Sequence, residues 1–376
     1  MGAVPLQVTM NARPYLHGPE AEALTEALQA GQYGHSAIVD RFEQAIADYL
    51  GVPDMVAVAS GTAALQLALT TAGVAPGHEV IVPSQTFCAS IHAILATGAH
   101  PRFVEINPDT LCTDAANVRD ALTPKTRAIV PVLYGGRAVD LSTLHDELTR
   151  QRITIVEDAA HAFGSHCKDT FVGARPGVLT CFSFGPIKNL TCGTGGGIIP
   201  RTPPEAQELR TLRALGIVQS QTQRAATTSY TVQEFGLRAT MSALNAAIGL
   251  AQLEHFEKVA AKRQELWRTY ADGLHALDGV RLVDVDIDHT VPFNCVIHLT
   301  DRDRVFAALR ASGLGVGVHY PPNHHQPAFK HWHRPLPVTE RSARQLMSLP
   351  FHPSMNRDDV QYVLSALARS LATETP

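Results

Sequence analysis

From about Met55 the chain alternates short runs rich in Val and Ile with stretches of helical periodicity. MVAVAS leads into a helix starting at Gly61, and HEVIVP into a helix around Ala89 to Thr97. PRFVEI, RAIVPVL and ITIVEDA continue the series, with a helical stretch near Leu141 to Arg150 before the last. These runs scarcely alternate apolar with polar residues, so each strand is buried on both faces. The pattern is that of an α/β protein with a mostly parallel sheet flanked by helices. In such open sheets ligands collect beyond the carboxyl ends of the strands, which is where chemistry is to be sought.

Composition excludes several other classes. The chain has 376 residues, 45% of them apolar, which suits a large core and not a disordered segment. Its 31 basic and 35 acidic residues give a formal charge of −4, leaving no basic excess to grip nucleic acid. No secretory pattern opens the sequence, and the longest apolar runs, such as Ile91 to Ala99, fall far short of the roughly 20 residues that span a bilayer. Six scattered cysteines form no C-x-x-C pair. A cytoplasmic, reduced protein with no membrane or nucleic-acid partner is expected.

After the Val218 to Gln233 stretch, polar and read as a long loop, a helical pattern runs from about Met241 to Leu274. Strands near Val280 to Val285 and Asn294 to Leu299 follow, then a helix from Asp301 to Ala311 and, after a Pro- and His-rich segment, two final helical stretches. The expected division is a large α/β domain over residues 1–250 and a smaller C-terminal α/β domain over 251–376.

Three short segments could carry chemistry. Ser60-Gly61-Thr62 sits at a strand-to-helix turn, where small residues let backbone N–H groups approach a phosphate. Ser and Gly are equally ordinary helix starters. Glu157-Asp158-Ala159-Ala160-His161 follows the apolar strand ITIV, so the Asp158 carboxylate either faces a cationic group or caps the next helix. Phe182-Ser183-Phe184-Gly185-Pro186-Ile187-Lys188-Asn189 delivers one lysine beyond a turn, ahead of the Gly195-Gly196-Gly197 run. A lysine in an apolar pocket has a lowered pKa and can form a Schiff base, whereas most lone lysines are merely solvated. The glycine run fits neither G-x-x-x-x-G-K-[ST] nor G-x-G-x-x-G, which counts against a nicotinamide-dependent dehydrogenase. A phosphate cradle, a buried acid and a lysine are together what pyridoxal phosphate requires.

SGTAALQLAL, GHEVIVPSQTF, GAHPRFVEINPDT, AIVPVLYGG, IVEDAAHAFGS and FSFGPIKN occur in an order and spacing that resembles the DegT–DnrJ–StrS family of sugar aminotransferases over nearly the whole chain. The resemblance implies the pyridoxal-phosphate transferase fold of type I and the cofactor pyridoxal 5'-phosphate (PLP, alternating with PMP). It implies that Lys188 is the Schiff-base lysine and proton shuttle, and that Asp158 keeps the pyridine nitrogen protonated. Ser60, Gly61, Thr62 and Ser183 would bind the phosphate, Phe87 would cover one ring face, and His161 would stand near the ring and its 3′-oxygen. Where the family often shows G-x-N-x-R before the long helix, this chain has Gly236-Leu237-Arg238-Ala239-Thr240. Arg238 would then reach the cofactor phosphate of the partner subunit, meet an anionic substrate group, or sit in the dimer interface. His319, Tyr320 and His325 would contact substrate from a loop over the site. The implied reaction moves an amino group from glutamate or glutamine to a keto sugar, usually nucleotide-linked, in a homodimer with its sites at the subunit interface. The alternatives are a cyclitol or other non-nucleotide keto substrate, or a PLP-binding regulatory protein without turnover. Lys188 argues against the deoxygenating dehydratases, which carry His at that position. The clusters His319 to His325 and His331 to His333 lie in a Pro-rich loop whose sequence offers neither a rigid frame nor supporting hydrogen bonds, so no metal site is expected.

Overall fold

The computed structural model describes residues 4–220, 223–224 and 226–372. A seven-stranded sheet takes β1 (Val56–Val58), β2 (Glu79–Pro83), β3 (His100–Val104), β4 (Thr126–Ile129), β5 (Thr154–Asp158), β8 (Val178–Ser183) and β9 (Gly196–Ile199), while β6 (His166–Cys167) and β7 (Thr170–Phe171) form a small separate hairpin. The strand order is β1-β9-β8-β5-β4-β2-β3. The pairs β2/β3, β2/β4, β4/β5 and β5/β8 are parallel, and β9 runs antiparallel to both its neighbours.

The unalternating runs are explained by burial on both faces. In β2, Val80 and Val82 face one helical layer and Ile81 faces the other, all fully buried. One layer packs Leu65, Ile91, Ile94 and Leu209 from the helices Gly61–Thr71, Ala89–Ala96 and Pro203–Leu212 against the sheet. The opposite layer packs Phe42 and Ile46 from the helix Ala37–Leu50, together with Ala246 from the helix Ala243–Glu254. Glu43, buried beneath that layer, accepts from the Ala57 N–H at 2.8 Å and is neutralised by Arg213 and Arg210. A buried carboxylate needs such partners to offset its desolvation.

A smaller antiparallel sheet of β10 (Val280–Leu282), β11 (Cys295–Leu299) and β12 (Leu346–Leu349) packs with the helices Phe256–Leu274, Arg302–Ala311 and Arg357–Ala372 around Tyr270, Ile297, Leu309 and Leu367. Val8, from the chain's beginning, is buried in this same core. The helical pattern from Met241 to Leu274 proves to be two helices, broken at His255 with φ −110° and ψ 7°. Apolar periodicity continues across the break because Phe256 must still enter the core, where its ring lies 4.9 Å from that of Phe163. Among the described residues no helix is long and apolar enough to cross a membrane, and all six cysteines are unpaired.

Candidate active site

Three strands end at one place. β1 gives way to Ser60, which caps the helix Gly61–Thr71 by accepting from the Ala63 N–H at 3.1 Å. A cap of this kind is worth about 1 kcal/mol. It leaves the first N–H groups of the helix open toward the sheet's carboxyl edge, where the helix dipole favours an anion. Close approach of backbones makes the cradle. A Cβ on Gly61 would lie 2.7 Å from Ser183 Cβ, and one on Gly196 would lie 2.5 Å from the Ser60 carbonyl. Glycine is therefore required at both positions. The glycine run in β9 thus serves packing against the phosphate-cradle turn, consistent with its failure to fit either nucleotide template.

β5 ends in Asp158, 7% exposed. Its Oδ2 accepts from Ser90 Oγ at 2.6 Å and its Oδ1 from the Ala160 N–H at 3.2 Å. Burial raises its pKa, while the Ser90 and Ala160 hydrogen bonds and the Lys188 charge act in the opposite sense. Beyond β8, the Gly185 turn brings Lys188 into the same cavity, half-buried, with Nζ 4.6 Å from the centroid of Phe293. Burial lowers the lysine's pKa to about 8, and Asp158 offsets part of that effect. An amine so poised is a competent nucleophile near neutral pH.

His161 follows Asp158 on the same turn and stacks on Phe293 at 4.0 Å between ring centroids. Its Nε2 lies 3.2 Å from the Tyr320 hydroxyl, and its buried Nδ1 has no protein partner. Burial, then Lys188 and His319, hold it well below the ordinary histidine pKa, so it is a neutral imidazole. Buried Asn189 fixes this arrangement: its Nδ2 donates to the Val291 carbonyl at 2.9 Å and to the His161 carbonyl at 3.3 Å.

Ser60, Gly61, Thr62, Phe87, Asp158, His161, Ser183 and Lys188 thus line one cavity of about 200 Å³. His319 and Tyr320 stand at its side. The Tyr320 carbonyl accepts from Gln85 Nε2 at 2.7 Å, the Tyr134 hydroxyl donates to the His319 carbonyl, and the Tyr320 ring lies 5.6 Å from that of Phe87. His319 Nδ1 is 2.8 Å from Ser348 Oγ, and burial pushes its pKa down to about 4. Two residues from the sequence reading are not brought in. Arg238 is exposed, on backbone bridged to Ala214, and does not line the cavity. His325 is exposed as well and lies against Glu340 instead. Ser90, Tyr134, Asn189 and Phe293 were not anticipated.

Residues 14–368 match the DegT/DnrJ/EryC1/StrS aminotransferase family. The chain belongs to that family. It is a transaminase of the type I fold, with small-molecule amino donor and acceptor chemistry. DesV from S. venezuelae is 33% identical with a TM-score of 0.89, covering 97% of this chain and 100% of its own. The sugar aminotransferase CalS13 from Micromonospora echinospora is 27% identical, also at 0.89, covering 98% and 100%. Spr1654 from Streptococcus pneumoniae, solved in its PMP form, is 25% identical at 0.89, covering 96% and 98%.

The cavity fits pyridoxal phosphate on its own chemistry. A cradle of Gly61 and the hydroxyl-bearing Ser60, Thr62 and Ser183 at a helix N-terminus suits the phosphate, a buried carboxylate suits a protonated ring nitrogen, and an unpartnered His161 Nδ1 suits a polar ring substituent.

Proposed function

We propose that this transaminase takes its amino group from glutamate or glutamine and delivers it to a keto carbon of a nucleotide-linked sugar. The observation that carries the reading is the convergence of Lys188, Asp158 and the Gly61–Ser183 cradle on one cavity. The cofactor is pyridoxal phosphate, which when bound supplies an electron sink for negative charge at the donor's α-carbon. The N–H groups of Gly61 and Thr62 and the hydroxyls of Ser60, Thr62 and Ser183 would hold its phosphate. Asp158, whose ionised form the Ser90 and Ala160 hydrogen bonds favour against burial, would hold the proton on its ring nitrogen. Lys188 would bind it covalently and, once displaced by the donor, move a proton onto and off the reacting carbon. Phe87 and His161 would wall the ring, and Phe293, stacked on His161, packs against the lysine.

Support for a sugar acceptor comes from the loop beside the cavity, where the His319 imidazole and Tyr320 hydroxyl offer hydrogen bonds suited to a polyol, and from the similarity to CalS13. A homodimer with sites at its interface is part of this reading. Exposed Arg238, without a charge partner among the described residues, is the cation such an interface would direct at a neighbouring phosphate. The test offers single amino acids to the purified yellow protein, follows loss of the cofactor's absorbance, and then adds nucleotide-linked and free keto sugars with mass spectrometry of the products. Bleaching by glutamate or glutamine and an aminated nucleotide sugar are expected. No bleaching with either donor, or amination of free sugars alone, would overturn the assignment.

A further inference from the structure

The loop beyond Tyr320 carries residues that amine transfer does not use. Asn323–His325 and Pro327–Trp332 form two short 3-10 turns, and the helix Pro337–Gln345 returns beside them. Three imidazoles and a carboxylate meet there. One donor atom each from His324, His325, His333 and Glu340 lies within 4.8 Å of all the others. His324 Nε2 and His325 Nε2 stand 3.4 and 3.7 Å from Glu340 Oε1. Ligands about 2.0–2.1 Å from a tetrahedral zinc ion lie about 3.3 Å apart, so these contacts are close to the required spacing. His325 and His333 are exposed and can close the remaining gaps by side-chain rotation.

The group also has the supporting contacts that a metal site needs. His324 is fully buried, and its other ring nitrogen, Nδ1, lies 2.7 Å from Ser84 Oγ, which also accepts from the His324 N–H at 3.0 Å. A hydrogen bond at Nδ1 fixes the ring and directs Nε2 at the cluster. Glu340 is held by the Leu336 N–H at 3.1 Å. Neighbouring Asn323 pins the loop to the end of β2, donating to the Ser84 and Thr86 carbonyls at 3.1 and 2.7 Å. The frame that could not be read from the Pro-rich sequence is thus supplied by β2 and by the returning helix. Three imidazoles with one carboxylate suit zinc, and not magnesium or calcium, which prefer sets of oxygen ligands.

We propose that His324, His325, His333 and Glu340 form a zinc site outside the cofactor cavity, fastening the loop that carries His319 and Tyr320 to the helix Pro337–Gln345. The ion's role is structural, since four protein ligands leave no open position. The site stands or falls independently of the assigned acceptor.

Tag-free holoenzyme is treated with a chelator, dialysed, and titrated with zinc alone by calorimetry, with metal content measured after a second dialysis. About one retained zinc ion per subunit is expected, as for a closed four-ligand site. The double variant His325→Ala/His333→Ala, altered only at exposed positions, should lose it, whereas His331→Ala should keep it. Cobalt in place of zinc should give the visible bands of a tetrahedral ion at wavelengths beyond the cofactor's absorbance. No retained zinc, or retention undiminished in the double variant, would overturn the proposal.

Discussion

Ser90→Ala isolates what the buried acid needs. Asp158 accepts two hydrogen bonds, and the shorter, at 2.6 Å from Ser90, is lost in this variant. The Ala160 N–H at 3.2 Å remains as the carboxylate's hydrogen-bond partner. A hydrogen bond to a charged group contributes about 1.5–3 kcal/mol, and a buried acceptor has no water to replace it. Because the lost donor favours the ionised form, protonated Asp158 gains relative to carboxylate. The carboxylate is the form that holds the ring nitrogen's proton, so cofactor affinity should fall, most on the acid side and there by at most about 10–100-fold. The acid limb of the kcat/KM profile should move to higher pH, since Asp158 now ionises later. Cofactor titration by absorbance and pH-rate profiles measure both, with a thermal melt to verify folding. A folded variant with unchanged affinity and an unmoved acid limb would refute the role given to this hydrogen bond.

Other consequences are equally open to measurement. With Lys188 lowered to about 8, capture of added cofactor by stripped protein should accelerate with pH and level off above that value; an inflection near the ordinary 10.5 would contradict the burial argument. Asn189→Ala strands the Val291 and His161 carbonyls and should lower unfolding free energy in denaturant by about 1–3 kcal/mol. Gly196→Ala would put a methyl group 2.5 Å from backbone atoms of Ser60, costing about 1–3 kcal/mol of stability and weakening cofactor binding by displacing the Ser60–Gly61 turn. Gly197→Ala, whose nearest contacts at 3.1–3.2 Å are side-chain atoms of Phe184 and Met55, should be milder in both assays.

The sheet was legible because Val80, Ile81 and Val82 are all apolar, and only burial on both faces makes use of that pattern. The lysine, the acid and the glycine turn were legible because each follows a strand directly and must emerge at the same edge of a parallel sheet. Ser90 was not. It reads as an ordinary polar residue on an apolar helix, and only the sheet order brings it to Asp158, 68 residues away. Phe293 reaches Lys188 from the segment just before β11, and no periodicity announces that meeting. His325 is marked by its place in the loop, which does not say where a side chain points, and its ring lies against Glu340 instead. The histidine group was invisible for a related reason: its carboxylate comes from a helix that returns after the loop, and its anchor, Ser84, from the far end of β2. His255 divides the long helix without disturbing the apolar pattern on either side.

The central claim is that Lys188, alone among the chain's six lysines, holds the cofactor. Borohydride reduction of the yellow holoenzyme, followed by proteolysis and mass spectrometry, reads that directly. The account predicts the reduced phosphopyridoxyl group on the peptide containing Lys188, and its disappearance in Lys188→Ala. Label on any other lysine of the wild-type protein, or an undiminished covalent adduct in the variant, would contradict it.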